Sequence, residues 1–238
     1  ALKLAIEAAP PVGEEAAWLH HQLGDVHATL GDFERSERVN RLGTKLAPGY
    51  VPPTVGIAES YIARGRYKDA LPIMERAARD LPALEYLVTL GDLYWATGDR
   101  KAAVATYDNA AHRFALYRAN GVLPDHDFVS FYADHRLRPR AALGEARFIY
   151  DNRPTAAAAD TLAWALHAIG RDRAALHYVR RALEGTTTPD AAQHFHAAAI
   201  HHSLGHEEAA RRLAREALRL DPHFSLFHLD MAEHLAEW

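Results

Sequence analysis

One phrase recurs along the chain about every 34 residues. Each copy has a small residue, which a bulky residue usually follows three positions later, and further small residues come after these. Most copies also have a glycine at the turn and a proline at the end. The clearest copies begin at Leu23, Gly56, Leu90, Leu162 and His196. A period of this size predicts stacked supersecondary units, because one unit alone cannot bury its apolar face and needs neighbours to cover it. The repeat therefore constrains the architecture more than any other feature of the sequence.

Six copies can be aligned, and they agree position by position. They begin at Ala17, Val51, Leu84, Leu123, Ala156 and Ala191. The eighth residue is always small: Gly24, Ala58, Gly91, Ser130, Ala163 and Ala198. A turn glycine follows in five copies: Gly31, Gly65, Gly98, Gly170 and Gly205. Prolines end four copies: Pro48, Pro82, Pro154 and Pro222. This punctuation predicts two helices per copy, with a glycine that ends the first helix and a proline that stops the second.

Together these positions resemble the tetratricopeptide repeat, a helix–turn–helix of 34 residues. The resemblance covers nearly the whole chain. It implies an all-α fold, a right-handed superhelical solenoid of antiparallel helix pairs, with about six repeats and a C-terminal capping helix. The small eighth residue would then lie where the two helices of one repeat cross most closely.

The resemblance also implies a division of the chain into five segments. They are residues 1–16, the end of a preceding repeat helix and a linker; 17–117, repeats 1 to 3; 118–155, a connection and an irregular repeat 4; 156–224, repeats 5 and 6; and 225–238, the capping helix. Repeat 4 is irregular because Leu137 replaces its turn glycine and Pro139 opens its second helix. Repeat 3 lacks its closing proline, so residues 117–122 are expected to form the longest connecting loop.

Composition and motifs exclude several classes of function. The formal net charge is only −4, which does not favour binding to nucleic acid. No apolar run approaches the roughly 20 residues of a membrane span, so membrane insertion is not expected. The chain has no cysteine, no glycine-rich phosphate loop and no nucleophile elbow, so we predict no enzyme and no cofactor. The chain lacks an initiating Met, so we expect missing upstream residues; the compartment, cytoplasmic or exported, and the oligomeric state stay open.

The first helices of the repeats carry the candidate binding site. In the family these helices line a concave groove that binds peptides. The ninth position of the repeats presents three carboxylates, Asp25, Glu59 and Asp92, whose mutual repulsion favours a cationic partner. The aromatic residues nearby would either anchor a ligand or pack between helices. The predicted peptide-groove residues are Asp25, Glu59, Asp92, Trp95, Phe131, Asp160 and Trp164. The predicted function is a scaffold that binds a basic, or aromatic and apolar, segment of a protein partner.

Histidines provide an alternative hypothesis. The chain has 16 of them, and several crowd its C-terminal third. Neutral imidazoles that converge from neighbouring helices can hold Zn²⁺ or Ni²⁺. The candidate ligands are His167, His194, His196 and His202. On this hypothesis the protein handles or senses a metal; otherwise these side chains make the protein sensitive to pH near neutrality.

Overall fold

Helices separated by short turns make up the regular structure of this chain. The structure is a computed structural model, and it describes residues 2–8, 10–122, 126–135 and 138–237. Within these ranges there is no strand, so the predicted all-α repeat fold is confirmed. The predicted start of repeat 4 at Leu123, and its Leu137, lie outside the described residues.

The chain divides into two compact units, an N-terminal unit of residues 1–113 and a C-terminal unit of residues 114–238. The N-terminal unit contains α1 (Leu2–Ala8), α2 (Glu14–Thr29), α3 (Phe33–Leu46), α4 (Pro52–Ile62), α5 (Tyr67–Asp80), α6 (Leu84–Thr97) and most of α7 (Arg100–Ala119). The C-terminal unit contains α8 (His126–Asp134), α9 (Pro139–Asn152), α10 (Ala156–Ala168), α11 (Asp172–Gly185), α12 (Ala191–Ser203), α13 (Glu207–Leu220) and α14 (Leu229–Glu237). In each unit, successive helices pack against one another as hairpins.

Glycines end the first helices as the repeat predicts. The five turn glycines have φ between 67° and 95°, where a side chain would be strained. After α2, the Gly31 N–H donates to the Ala28 carbonyl at 2.9 Å, and the Asp32 N–H donates to the His27 carbonyl at 2.9 Å. The Asp32 carboxylate then caps α3 by accepting from the Arg35 N–H at 3.0 Å. One short segment thus ends one helix and starts the next.

The small residues at the eighth position set how closely the helices cross. Ala58, Ala163 and Ala198 are completely buried. Gly24 of α2 faces the amide of Asn40, and Gly91 of α6 faces the ring of Tyr107, so closely that an added methyl group would overlap. The prediction that small residues lie at these crossings is confirmed, because no larger side chain fits in the space between the helices.

Two helix ends differ from the predictions. Helix α7 runs to Ala119, so the expected loop at residues 117–122 was wrong for its first three residues. Ala115 stands where other repeats have a proline, and nothing stops the helix there. The capping helix begins at Leu229 rather than at Ser225, and residues 222–228 form turns and bends. Helix α14 itself packs against α12 and α13, and its Ala232 and Leu235 are buried.

Candidate functional site

The predicted groove residues fall in both compact units. Asp25, Glu59, Asp92 and Trp95 belong to the N-terminal unit, and Phe131, Asp160 and Trp164 belong to the C-terminal unit. They therefore belong to two faces, one in each unit. The first is the acidic face of the N-terminal unit, defined by Asp25, Glu59 and Asp92. The second is the aromatic face of the C-terminal unit, defined by Phe131, Asp134, Asp160, Trp164, Phe195 and His196.

On the acidic face, helices α2 and α4 present Asp25 and Glu59. The Asp25 side chain is 46% exposed, and its Oδ1 lies 3.6 Å from His21 Nδ1. Desolvation raises the pKa of Asp25, and the nearby His21 partly opposes this effect. Glu59 touches solvent, yet the surrounding protein reduces its hydration. This desolvation raises the pKa of Glu59, with His21 opposing and the charge of Asp25 adding to it. Desolvation therefore makes ionisation of both carboxylates less favourable, and at Glu59 the charge of Asp25 adds to this effect.

Polar side chains of α2, α3 and α4, most of them buried, form a hydrogen-bond network beneath the acidic face. The side chain of Asn40 is fully buried in α3, where its Nδ2 donates to the Ser36 carbonyl at 3.1 Å. Its Oδ1 lies 3.1 Å from His21 Nδ1. The Ser60 hydroxyl of α4 lies 3.1 Å from Ser36 Oγ, and 2.8 Å from the Gly56 carbonyl oxygen to which it donates. Sequence reasoning missed Asn40, since one asparagine in an amphipathic helix gives no signal of burial.

Asp92 and Trp95, on α6, are already engaged by neighbouring side chains. The Tyr107 hydroxyl donates to Asp92 Oδ1 at 2.7 Å. The Arg100 guanidinium lies 3.5 Å from the centroid of the Trp95 ring, and its Nη1 donates to the Trp95 carbonyl at 3.0 Å. Arg100 thus forms a cation–π contact with one face of this indole. Of the three predicted carboxylates, Glu59 is exposed, and Asp25 and Asp92 are half-buried.

The predicted residues of the C-terminal unit lie in its core and do not line an open groove. Phe131, Trp164 and Asp160 are 3%, 4% and 9% exposed. The Trp164 ring stacks on His196 at 4.2 Å between centroids, with 15° between the planes. Asp160 Oδ2 lies 3.0 Å from His196 Nδ1. Aromatic stacking between first helices therefore buries these three predicted groove residues.

Asp134 of the aromatic face contacts His228, a residue that the sequence did not connect with it. Asp134 Oδ1 accepts from Trp164 Nε1 at 2.5 Å and lies 3.0 Å from Nε2 of His228. Burial would raise the pKa of Asp134, but His228, His196 and Trp164 outweigh it and the pKa is lowered. Burial likewise opposes protonation of His196, but the carboxylates led by Asp160 raise its pKa. His228 was missed because 94 residues separate it from Asp134 and no repeat position relates them.

The four candidate metal ligands pair with separate groups. His167 Nδ1 lies 2.6 Å from Asp172 Oδ1, and His202 Nδ1 lies 3.0 Å from Glu207 Oε2. His194 Nδ1 lies 2.7 Å from the Asp190 carbonyl oxygen, and His196 contacts Asp160 as described above. Across the described parts of the chain, no three His, Asp or Glu side chains converge in a way that would hold a metal ion. The four histidines therefore do not form the metal site of the alternative hypothesis.

None of the helices that the structure describes has the length and apolar character needed to cross a membrane.

Comparison with known proteins identifies the repeat. Residues 84–111 match the family model described as tetratricopeptide repeat. A segment of 99 residues is 31% identical to anaphase-promoting complex subunit 7 of Arabidopsis thaliana, and it covers 41% of this chain but only 17% of that relative.

Solved structures show the same fold. The APC/C hetero-tetramer Cut9–Hcn1 matches with a TM-score of 0.61 at 18% identity, over 97% of this chain and 45% of that chain. A tetratricopeptide repeat protein from Parabacteroides merdae matches with a TM-score of 0.57 at 14% identity, over 99% and 88% of the two chains. PilW, a type IV pilus biogenesis factor, matches with a TM-score of 0.55 at 15% identity, over 87% and 94%. Proteins built from this repeat generally act as scaffolds for protein–protein interactions.

Proposed function

We propose that this chain, which belongs to the tetratricopeptide-repeat family, is an interaction scaffold that binds a basic peptide segment of a protein partner on its acidic face. The observation that carries the proposal is that α2 and α4 present Asp25 and Glu59 to solvent, close enough for the charge of Asp25 to raise the pKa of Glu59. A lysine or arginine placed between them would offset that effect. Binding without catalysis is the expected activity.

The polar network beneath the face supports the proposal. His21 of α2 lies between Asp25 and the buried Asn40 of α3, and Ser36 of α3 connects the network to Ser60 of α4. Side chains that hydrogen bonds already hold in place lose less conformational entropy when a ligand binds, and this favours affinity. Trp95 would add apolar contact at the end of the face, where Arg100 now covers one side of its ring.

The charge of the face also defines which partners it rejects. Carboxylates repel phosphate groups, so we propose a protein partner rather than nucleic acid. Cut9–Hcn1 is described as a hetero-tetramer, and its likeness to this chain is in keeping with assembly on a helical scaffold.

A peptide-display selection would test the proposal. Random ten-residue peptides are selected on the full chain, and the enriched peptides are measured by fluorescence anisotropy. We expect enrichment of Lys and Arg, a loss of affinity of about tenfold or more on Glu59→Lys, and weaker binding as salt rises from about 50 to 500 mM.

Glu34→Lys is the matched control, because it makes the same charge change at an exposed position of the second helix α3 in the same unit. An equal loss of affinity in both variants would mean that the change in net charge, and not the position of Glu59, weakens binding. That result would contradict the proposal. Selected peptides without basic residues would contradict it as well.

A further inference from the structure

The turns between α13 and α14 contact three successive first helices of the C-terminal unit. Phe227 packs edge-on against His135 at the end of α8, with 4.4 Å between ring centroids. His228 packs against Trp164 of α10 at 5.5 Å and stacks on Phe195 of α12 at 4.9 Å. Phe224 also contacts Phe195, at 5.4 Å. One five-residue segment thus lies against Asp134, Trp164 and Phe195 of the aromatic face.

We infer that residues 224–228 are a displaceable internal ligand, and that the face they cover is a second docking surface for a partner segment with two aromatic residues and a cationic donor. The inference does not rest on the proposed function, because it concerns residues of the C-terminal unit alone. The two proposals can therefore fail separately.

Capping alone does not explain this arrangement. In a repeat stack each repeat contacts its neighbours, so a cap needs to cover only the last one. Helix α14 meets this need, because it packs on α12 and α13 and buries Ala232 and Leu235. His228, in contrast, reaches Asp134 of α8, in a first helix two repeats away from the last. A segment that crosses first helices in this way lies as a bound peptide would.

The chemistry of the face defines what would replace the segment. Asp134 takes an N–H donor from His228, and a second carboxylate, Asp160, has its Oδ1 buried with no hydrogen-bond donor among the described residues. A competing segment therefore needs a His, Lys or Arg to meet the carboxylates. It also needs aromatic residues three positions apart, as Phe224 and Phe227 are, to pack on Phe195 and His135.

The contacts of residues 224–228 are compatible with their release from the aromatic face. Its residues lie outside regular secondary structure and are partly buried, and the His228 side chain is 13% exposed. Local hydrogen bonds shape it: the His228 N–H donates to Ser225 Oγ at 3.1 Å, and the His223 N–H donates to Asp221 Oδ1 at 2.8 Å. These local bonds can persist when the segment leaves the face. Release requires breaking its contacts with the face, which include the His228–Asp134 hydrogen bond and the ring contacts of Phe224, Phe227 and His228. Helices α13 and α14 can stay folded while this happens.

A peptide added in trans tests the inference. The probe is a fluorescein-labelled peptide with the sequence of residues 221–230, and the receptors are the full chain and its Phe227→Ala/His228→Ala variant. We expect the folded variant to bind the peptide at least about tenfold more tightly than the wild type, whose own segment competes. A peptide with the same two substitutions should not bind, and Asp134→Asn in the receptor should weaken binding.

Equal affinity for both receptors, or no binding to the folded variant, would overturn the inference. Loss of cooperative melting in the double variant would also overturn it, because the segment would then be an integral part of the core. Hydrogen exchange on the wild-type chain gives an independent result. We expect the amides of residues 224–228 to exchange while α12 stays protected; exchange of both only in a common unfolding event would refute a displaceable segment.

Discussion

Gly24 and Gly144 are both glycines inside helices, but only the first is required by its surroundings. A methyl group on Gly24 would overlap the amide of Asn40, whose hydrogen bonds join α2 and α3. A methyl group on Gly144 would meet no atom within 4 Å. At the scale of single residues, the packing around a side chain decides what that residue contributes to stability.

We predict that Gly24→Ala destabilises the protein by about 1 to 3 kcal/mol, because it forces Asn40 out of its buried position. Gly144→Ala is the matched control and should stabilise by about 0.5 to 1 kcal/mol, because alanine favours the helix. Urea unfolding followed by circular dichroism measures both. A Gly24→Ala variant as stable as the wild type would show that the crossing tolerates a larger residue.

His196 predicts how stability depends on pH. Its pKa in the folded protein lies above the unfolded value of 6.5 because the carboxylates led by Asp160 outweigh its burial. The stabilisation is therefore fully present below pH 6.5 and is lost as pH rises through the folded pKa. We expect melting temperatures to fall from pH 6 to pH 8.5, and His196→Gln to reduce this dependence. His194→Gln, at a half-buried position of the same helix, is the control, and an identical pH profile in both variants would contradict the assignment.

At the scale of helices, each helix packs against its neighbours through one buried side. The buried residues of α13 are Ala210, Leu213, Ala214 and Ala217, which recur at helical spacing. Such short helices are marginal alone, so their stability comes from packing against neighbouring repeats. The sequence predicted where most helices stop, because glycine and proline act locally. It missed the end of α7, which continues past Ala115 to Ala119 before the turn at Gly121, where φ is 82°. It also missed the start of α14, because no glycine or proline directly precedes Leu229.

Helix α14 offers a direct test of capping. Leu235 is 4% exposed and Met231 of the same helix is 38% exposed. We predict that Leu235→Ala costs about 2 to 3 kcal/mol, because it leaves a cavity against the last repeat. Met231→Ala should cost well under half as much. Urea unfolding measures the difference, and equal costs for the two substitutions would mean that α14 does not cap the repeat through this face.

At the scale of the whole molecule, the division into two compact units predicts that a destabilising substitution in one unit affects the unfolding of that unit more than the unfolding of the other. Repeat proteins gain stability from nearest-neighbour contacts, so a local defect need not affect distant repeats equally. The chain has four tryptophans, and Trp95 and Trp164 report on the N-terminal and C-terminal units respectively. In variants that keep only Trp95 or only Trp164, with the other tryptophans replaced by Phe, the fluorescence of each unit can be measured separately.

We predict that Leu235→Ala lowers the urea midpoint reported by Trp164 more than the midpoint reported by Trp95. The physical reason is that the substitution lies in the C-terminal unit and acts first on the repeats next to it. Tryptophan fluorescence in the two single-tryptophan backgrounds gives the comparison. Identical shifts would show that the chain unfolds as one cooperative body.

The sequence by itself determined the repeat fold, the turns at Gly31 and its equivalents, and the small residues at the crossings. These features recur with the period, and each depends on atoms within one helix hairpin. Only the tertiary structure decided which predicted groove residues are accessible. Trp164 and Asp160 are buried because aromatic rings and carboxylates from three first helices meet, and because His228 returns to Asp134 from 94 residues away. Contacts of that range obey no period, so a repeat pattern cannot encode them.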